Sequence, residues 1–189
     1  MNLLDLLTGN TANQVAQETE SKLGISKSQI LALLAVATPL VISYLKNKSQ
    51  DVKEAEALSQ ALDRDHDGSI LSNPSQLATR ETEGNSILSH IFGNEKTNVE
   101  NQLSQKTGIS MDKIGPALAM LAPLVMGFIG KEKQQNNVTA GGMGDLLGNM
   151  LNTNNTKGAD IGSIARDFLD KDGDGSMLDD LFNIFTKKK

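Results

Sequence analysis

The chain has 189 residues, with 18 Lys and Arg against 23 Asp and Glu, a net charge of −5 at pH 7, no cysteine and 3% aromatic residues. At that length roughly 70% of the unfolded surface can be buried, so a core needs no disulfide or metal, and without cysteine there is no disulfide framework, Cys-ligated zinc or thiol nucleophile. The acidic balance, with one Tyr, no Trp and five Phe, argues against nucleic-acid binding, which calls for a basic face and stacking aromatics.

The N-terminus, Met1-Asn2-Leu3-Leu4-Asp5-Leu6-Leu7-Thr8-Gly9, has no basic region and no small-residue cleavage site after a long apolar run. It does not read as a secretory signal. The expected compartment is therefore the cytoplasm, with non-classical secretion left open. Apolar residues recur at Leu3, Leu4 and Leu7, then at Val15 in a polar stretch ending Lys22-Leu23-Gly24, where Gly24 is placed to terminate a helix. Ser26-Lys27-Ser28-Gln29 is a capping box that opens a long apolar helix. Pro39 lies inside that helix and predicts a kink or a break, with Thr38 capping the second piece.

These features return further along. Displacing the chain by 84 positions lays Leu3–Lys48 on Ile87–Glu132 without a gap, and 14 of the 46 pairs are identical, clustered in Gly-Ile-Ser and Pro-Leu-Val. Ser110 repeats the capping serine, while Lys113 replaces the glutamine. Each half ends in a further shared element, Leu62-Asp63-Arg64-Asp65-His66-Asp67-Gly68-Ser69 and Leu169-Asp170-Lys171-Asp172-Gly173-Asp174-Gly175-Ser176, the two lying 107 residues apart. The 23 additional residues of the second half fall in 134–157, rich in Asn, Gly and Thr, which reads as a mobile insert dispensable for folding. Leu146-Leu147 with Met150-Leu151 is the exception, spaced to form one amphipathic turn that docks on the core or on a partner. No segment alternates with the period of a strand. The predicted fold class is all-α: tandem-duplicated helical repeats, residues 1–80 and 84–189, sharing one core built from Ile30, Leu34, Val41, Ile114, Leu118 and Val125.

The two Asp-x-Asp-x-Asp-Gly segments predict the chemistry. Three carboxylates at alternate positions repel one another, and a hard divalent cation with oxygen ligands offsets the repulsion; glycine at the sixth position allows the turn of an EF-hand-like calcium loop. The expected ligands of the first loop are Asp63, Asp65, Asp67, the Ser69 carbonyl and Asn73. Those of the second are Asp170, Asp172, Asp174, the Ser176 carbonyl and Asp180. The bidentate Glu of the twelfth position is replaced by Pro74 and Leu181, and the second loop, with Asp179-Asp180 near its end, should bind Ca2+ more tightly.

The Leu-Leu-x-x-Leu start, the Gly-Ile-Ser and Pro-Leu-Val helix, and Leu-Asp-x-Asp-x-Asp-Gly-Ser followed by Leu-Asp-Asp-Leu together resemble a bacterial family catalogued as domain of unknown function 937 and related to the YidB-like proteins. The resemblance implies a helical bacterial protein and assigns no activity. An enzymatic reading finds no nucleophile motif or phosphate-binding glycine loop; His66 is expected to point to solvent and His90 to lie on a helix flank. The leading expectation is a non-catalytic, calcium-binding helical protein acting through contact with a protein partner or a second copy of itself. The alternative is a membrane-active protein inserting its two Pro-containing apolar helices, each run being shorter than a usual span.

Overall fold

The structure, a computed structural model, describes Leu6 and residues 9–153, with the backbone alone at Ala78, Asn152 and Thr153. All regular structure among these residues is helical. Helix α1 (Asn10–Leu23) buries Ala12, Val15, Ala16 and Thr19 and stops at Gly24, whose φ of 60° is left-handed. That conformation is cheap only for a residue without a Cβ. Ser26 then caps α2 (Lys27–Lys48) through the predicted box, its hydroxyl accepting from the Gln29 N–H while the Gln29 side chain accepts from the Ser26 N–H. Asp51 caps α3 (Val52–Asp65) by accepting from the N–H groups of Lys53 and Glu54. Two short 3-10 turns, Ser69–Leu71 and Pro74–Thr79, lead to α4 (Glu81–Phe92), followed by α5 (Lys96–Thr107), α6 (Met111–Gln135) and α7 (Met143–Thr153).

The long apolar helices α2 and α6 form the centre, and the six residues expected to share a core all lie in one cluster, each at most 3% exposed. Around them the second repeat retraces the first. Helices α1 and α5 each pack on both α2 and α6, while α3 packs on α6 and α7 on α2. Two hydrogen bonds mark the pseudo-twofold relation: Gln29 Nε2 donates to the Gly108 carbonyl at 2.9 Å and Lys113 Nζ donates to the Gly24 carbonyl at 3.3 Å. Residues 29 and 113 are equivalent under the 84-residue displacement, as are 24 and 108. The Lys that replaces the capping Gln in the second repeat thus gives up the box, since Ser110 makes no side-chain cap bond, and keeps the contact across the repeats.

Three expectations need correction. Helix α2 runs unbroken through Pro39, and α6 through Pro116 and Pro123; Thr38 is fully buried inside α2, where its hydroxyl makes no hydrogen bond and caps nothing. Pro39 and Pro123 are buried, and the core packed around them supports the helix on either side of the donor that each proline removes. The segment read as a mobile insert at 134–157 is a helix over Met143–Thr153, with Met143, Leu146 and Leu147 buried in the same core cluster. Composition pointed to a linker, but four apolar residues at helical spacing sufficed to dock it on α2.

Two helices, Lys27–Lys48 and Met111–Gln135, are long and apolar enough to cross a membrane, with peak mean hydropathy of 1.8 and 1.6. Here 72% and 83% of those stretches are buried within the protein. Helix α4 crosses α6 at close range, where a Cβ added to Gly84 would lie 1.7 Å from the Ala119 carbonyl oxygen.

Candidate functional site

The first Asp loop leaves α3 with Asp63 and Asp65 in its last turn. Gly68 then takes φ 92°, reversing the chain, and Ile70 is buried against α6. Two glycines of α6 make the docking possible. A Cβ at Gly130 would lie 1.8 Å from the His66 carbonyl oxygen, and one at Gly127 would lie 2.4 Å from Ile70 Cγ2. The equivalent positions of α2 are Ser43 and Lys46. The notch therefore exists on one long helix only.

Within this docked loop the expected calcium ligands do not converge. Asp63 accepts from Lys133 Nζ, the ammonium of a buried lysine on α6. Asp65 takes a two-pronged bond from the Arg64 guanidinium, at 2.6 and 2.9 Å, which lowers its pKa. Asp67 accepts from the Ser69 N–H at 2.9 Å, and that bond lowers its pKa as well. Asn73 stands before the Pro74–Thr79 turn with no side-chain cap bond. Each carboxylate thus serves a separate protein donor, and among the described residues no three His, Asp or Glu side chains are grouped to hold a metal. In this arrangement Asp63 and Asp65 are each paired with a cation, Lys133 and Arg64, and Asp67 with a neutral backbone N–H, so the three carboxylates are held by separate donors. The second loop, with Asp170, Asp172, Asp174, Ser176 and Asp180, lies outside the described residues.

Sequence reasoning missed a groove of about 800 Å³ between α3 and α4. Leu45 and Met126, from α2 and α6, contribute to its floor, and Leu58 and Ala61 on α3 face Ile87 and Ile91 on α4. Both histidines of the chain line it. His66 is 6% exposed, contrary to the expected solvent orientation, because the carbonyl of the same residue is seated on Gly130 and draws the loop inward. Burial, opposed by the nearby Glu83 carboxylate, lowers its pKa. Its Nδ1 lies 3.7 Å from Glu83 Oε1, with Arg80 Nη1 3.6 Å from the same oxygen. At the other end His90 Nε2 and Lys48 Nζ each lie 3.4 Å from a Glu54 oxygen. His90 occupies the last turn of α4, on the flank expected of it.

An all-helical protein with a buried turn and an apolar groove is the class these observations define. The chain matches, over residues 5–132, the model of a bacterial protein family of unknown function, DUF937, and belongs to that family. No curated protein and no solved structure matches it. The matched span covers the whole of α2, all but the last three residues of α6, and the groove, since every groove-lining residue falls between Leu45 and Met126.

Proposed function

We propose that this is a non-catalytic helical protein that acts through protein–protein contact, with the α3–α4 groove receiving an apolar helical segment of the partner. The observation that supports the reading is the groove itself: its floor is apolar, and its rim carries Lys48, Arg64 and Arg80 against Glu54, Asp65 and Glu83, so its charges cancel. An apolar cleft between two helices is a usual seat of an amphipathic helix presenting residues one turn apart. Calcium binding at the second Asp loop through Asp170, Asp172, Asp174, Ser176 and Asp180 is a further part of the proposal and rests on residue spacing alone. The membrane alternative is less favoured, since the apolar faces it would insert are turned into the core.

A photo-crosslinking residue placed at Ala57, on the groove wall, tests the contact in living cells, with one at exposed Ser21 as the control. The expected result is a product specific to position 57 that disappears when Ala61→Trp fills the groove and that is reproduced with the purified partner. Identical products from both positions, or products indifferent to Ala61→Trp, would overturn the contact surface. For calcium, the melting temperature should rise at saturating metal by about 2.7 kcal/mol equivalent at a hundredfold excess over Kd. Asp172→Ala with Asp174→Ala should remove the rise; an unmoved wild-type melt would end the metal reading.

A further inference from the structure

We propose that in the free chain the groove is filled by the chain's own residues 161–169, so that a partner gains the groove by displacing them. The inference rests on the groove being the contact surface and names what competes for it. The described residues end at Thr153, and 36 residues follow. Within them Ile161, Ile164, Ala165, Phe168 and Leu169 recur at the spacing of one helix face. Displaced by 107 positions, residues 161–169 are the copy of 54–62, the stretch of α3 that supplies most of one groove wall. That stretch is seated on α6, where Gly130 faces the Leu62 and His66 carbonyls. On α2 the equivalent of Gly130 is Lys46, and its neighbour is Gly148 of α7, where an added Cβ would lie 3.5 Å from Lys46 Cε. Helix α7 thus holds the seat that the copy would take by symmetry, and the apolar face of residues 161–169 gains by burial elsewhere.

The groove suits this segment in length, charge and reach. As a helix, residues 161–169 rise about 12 Å, and the α3 wall from Glu54 to Asp65 rises about 16 Å. The segment carries Arg166 against Asp167 and no net charge, matching a rim on which three acids offset three bases. The other apolar stretch beyond Thr153, residues 177–185, carries Asp179 and Asp180 without a cation and matches that rim less well. Gly148 lies beside Lys46, two residues before the groove-lining Lys48. Thr153 stands about 8 Å further along α7, and the chain from there to Ile161 spans up to about 25 Å. A tether this short gives the segment an effective concentration of about 1 mM at the groove, far above that of a second copy in solution. A segment with an intrinsic Kd of about 0.1 mM then fills the groove about 90% of the time and lowers a partner's apparent affinity about tenfold.

The test uses the full chain, labelled with nitrogen-15. Because the chain has no cysteine, Ser163→Cys, opposite Ile164 and Phe168 on a helix, takes a single nitroxide spin label. The label is expected to weaken the amide signals of Ala61, Ser86 and Ile87 in the groove several-fold and to leave that of exposed Ser21 unchanged. Ile164→Asp with Phe168→Asp should restore the signals, as should Ala61→Trp in the groove, with melting curves showing which variants are folded. If one of them does not fold, the labelled parent chain and the other variant decide. No weakening at the groove amides would overturn the inference. Weakening as strong when the label sits on a separate, unenriched chain would make a second copy the occupant and overturn it as well. The contact surface is read apart, from cross-links of position 57 to another protein at subsaturating partner. Ile164→Asp with Phe168→Asp should raise their yield about tenfold, and an unchanged yield would overturn the competition. If the released chain gives no such cross-links while the label on the parent chain marks the groove, the contact surface falls and the seat of residues 161–169 stands.

Discussion

Gly84→Ala adds one methyl group where α4 crosses α6, and its cost can be worked from the contact it would make. The new Cβ would stand 1.7 Å from the Ala119 carbonyl oxygen and 2.9 Å from the Ala119 Cα. The obstacle is backbone, which cannot rotate aside, so relief requires the two helices to separate along much of their contact. Overpacking of this kind costs typically 1–3 kcal/mol, and an immovable carbonyl belongs at the upper end, about 3 kcal/mol. Against it stands a gain of about 1 kcal/mol from replacing glycine by alanine inside a helix. The net loss is about 2 kcal/mol, or a melting temperature lower by about 4–8 °C for a domain of this size. Gly144→Ala in α7 is the companion, because an added Cβ there meets nothing within 4 Å. It should leave the melt unchanged or raise it, by up to about 1 kcal/mol. Thermal unfolding followed by circular dichroism reads both; a Gly84→Ala variant as stable as wild type would refute the crossing as described.

Leu147→Ala, at a fully buried position of α7, should cost about 2–5 kcal/mol in chemical denaturation; a neutral result would restore the linker reading of this segment. Ser26→Ala should cost about 1 kcal/mol and Ser110→Ala less, since only Ser26 makes the side-chain cap bond; equal losses would contradict the difference. His66 gives the pH prediction, its ordinary value of 6.5 being lowered by burial among Glu83, Asp65, Asp67 and Arg80. Below 6.5 the unfolded chain takes up the proton first, so the contribution of neutral His66 is complete above that pH and is lost as pH falls through the lower folded value. The stability difference between wild type and His66→Asn, read from denaturant midpoints between about pH 8 and about pH 5, should shrink toward acid; a difference that grows would reverse the assignment.

The helices and the repeat were legible because the residues that carry them act locally. Gly24, Ser26, Gly108 and Ser110 end and begin helices wherever they stand, and their recurrence 84 residues apart announces the duplication. The first Asp loop was not legible for the converse reason. Its acids look like ligands until Lys133, 70 residues away, is seen against Asp63, and nothing local shows that His66 turns inward. One signal did stand in the sequence. Gly127 and Gly130 interrupt an apolar helix three residues apart, where the first repeat has Ser43 and Lys46, and a small-residue gap on one copy alone points to something seated there. The groove required the packing itself, since its walls come from consecutive helices whose facing sides are set by α2 and α6 beneath them.

The paired bonds from Gln29 to Gly108 and from Lys113 to Gly24 have the form of an isologous interface, in which one surface meets a copy of itself about a twofold axis. Two separate copies would have to find each other from solution and would carry every substitution twice. Joined in one chain, the second copy is always present, and each bond can change alone. Gln29 holds both a helix cap and a bridge, while Lys113 holds the bridge only, a division that two identical subunits could not have made. The same independence let one long helix acquire the Gly127 and Gly130 notch without imposing it on the other, and so gave an inherited symmetry a single working side.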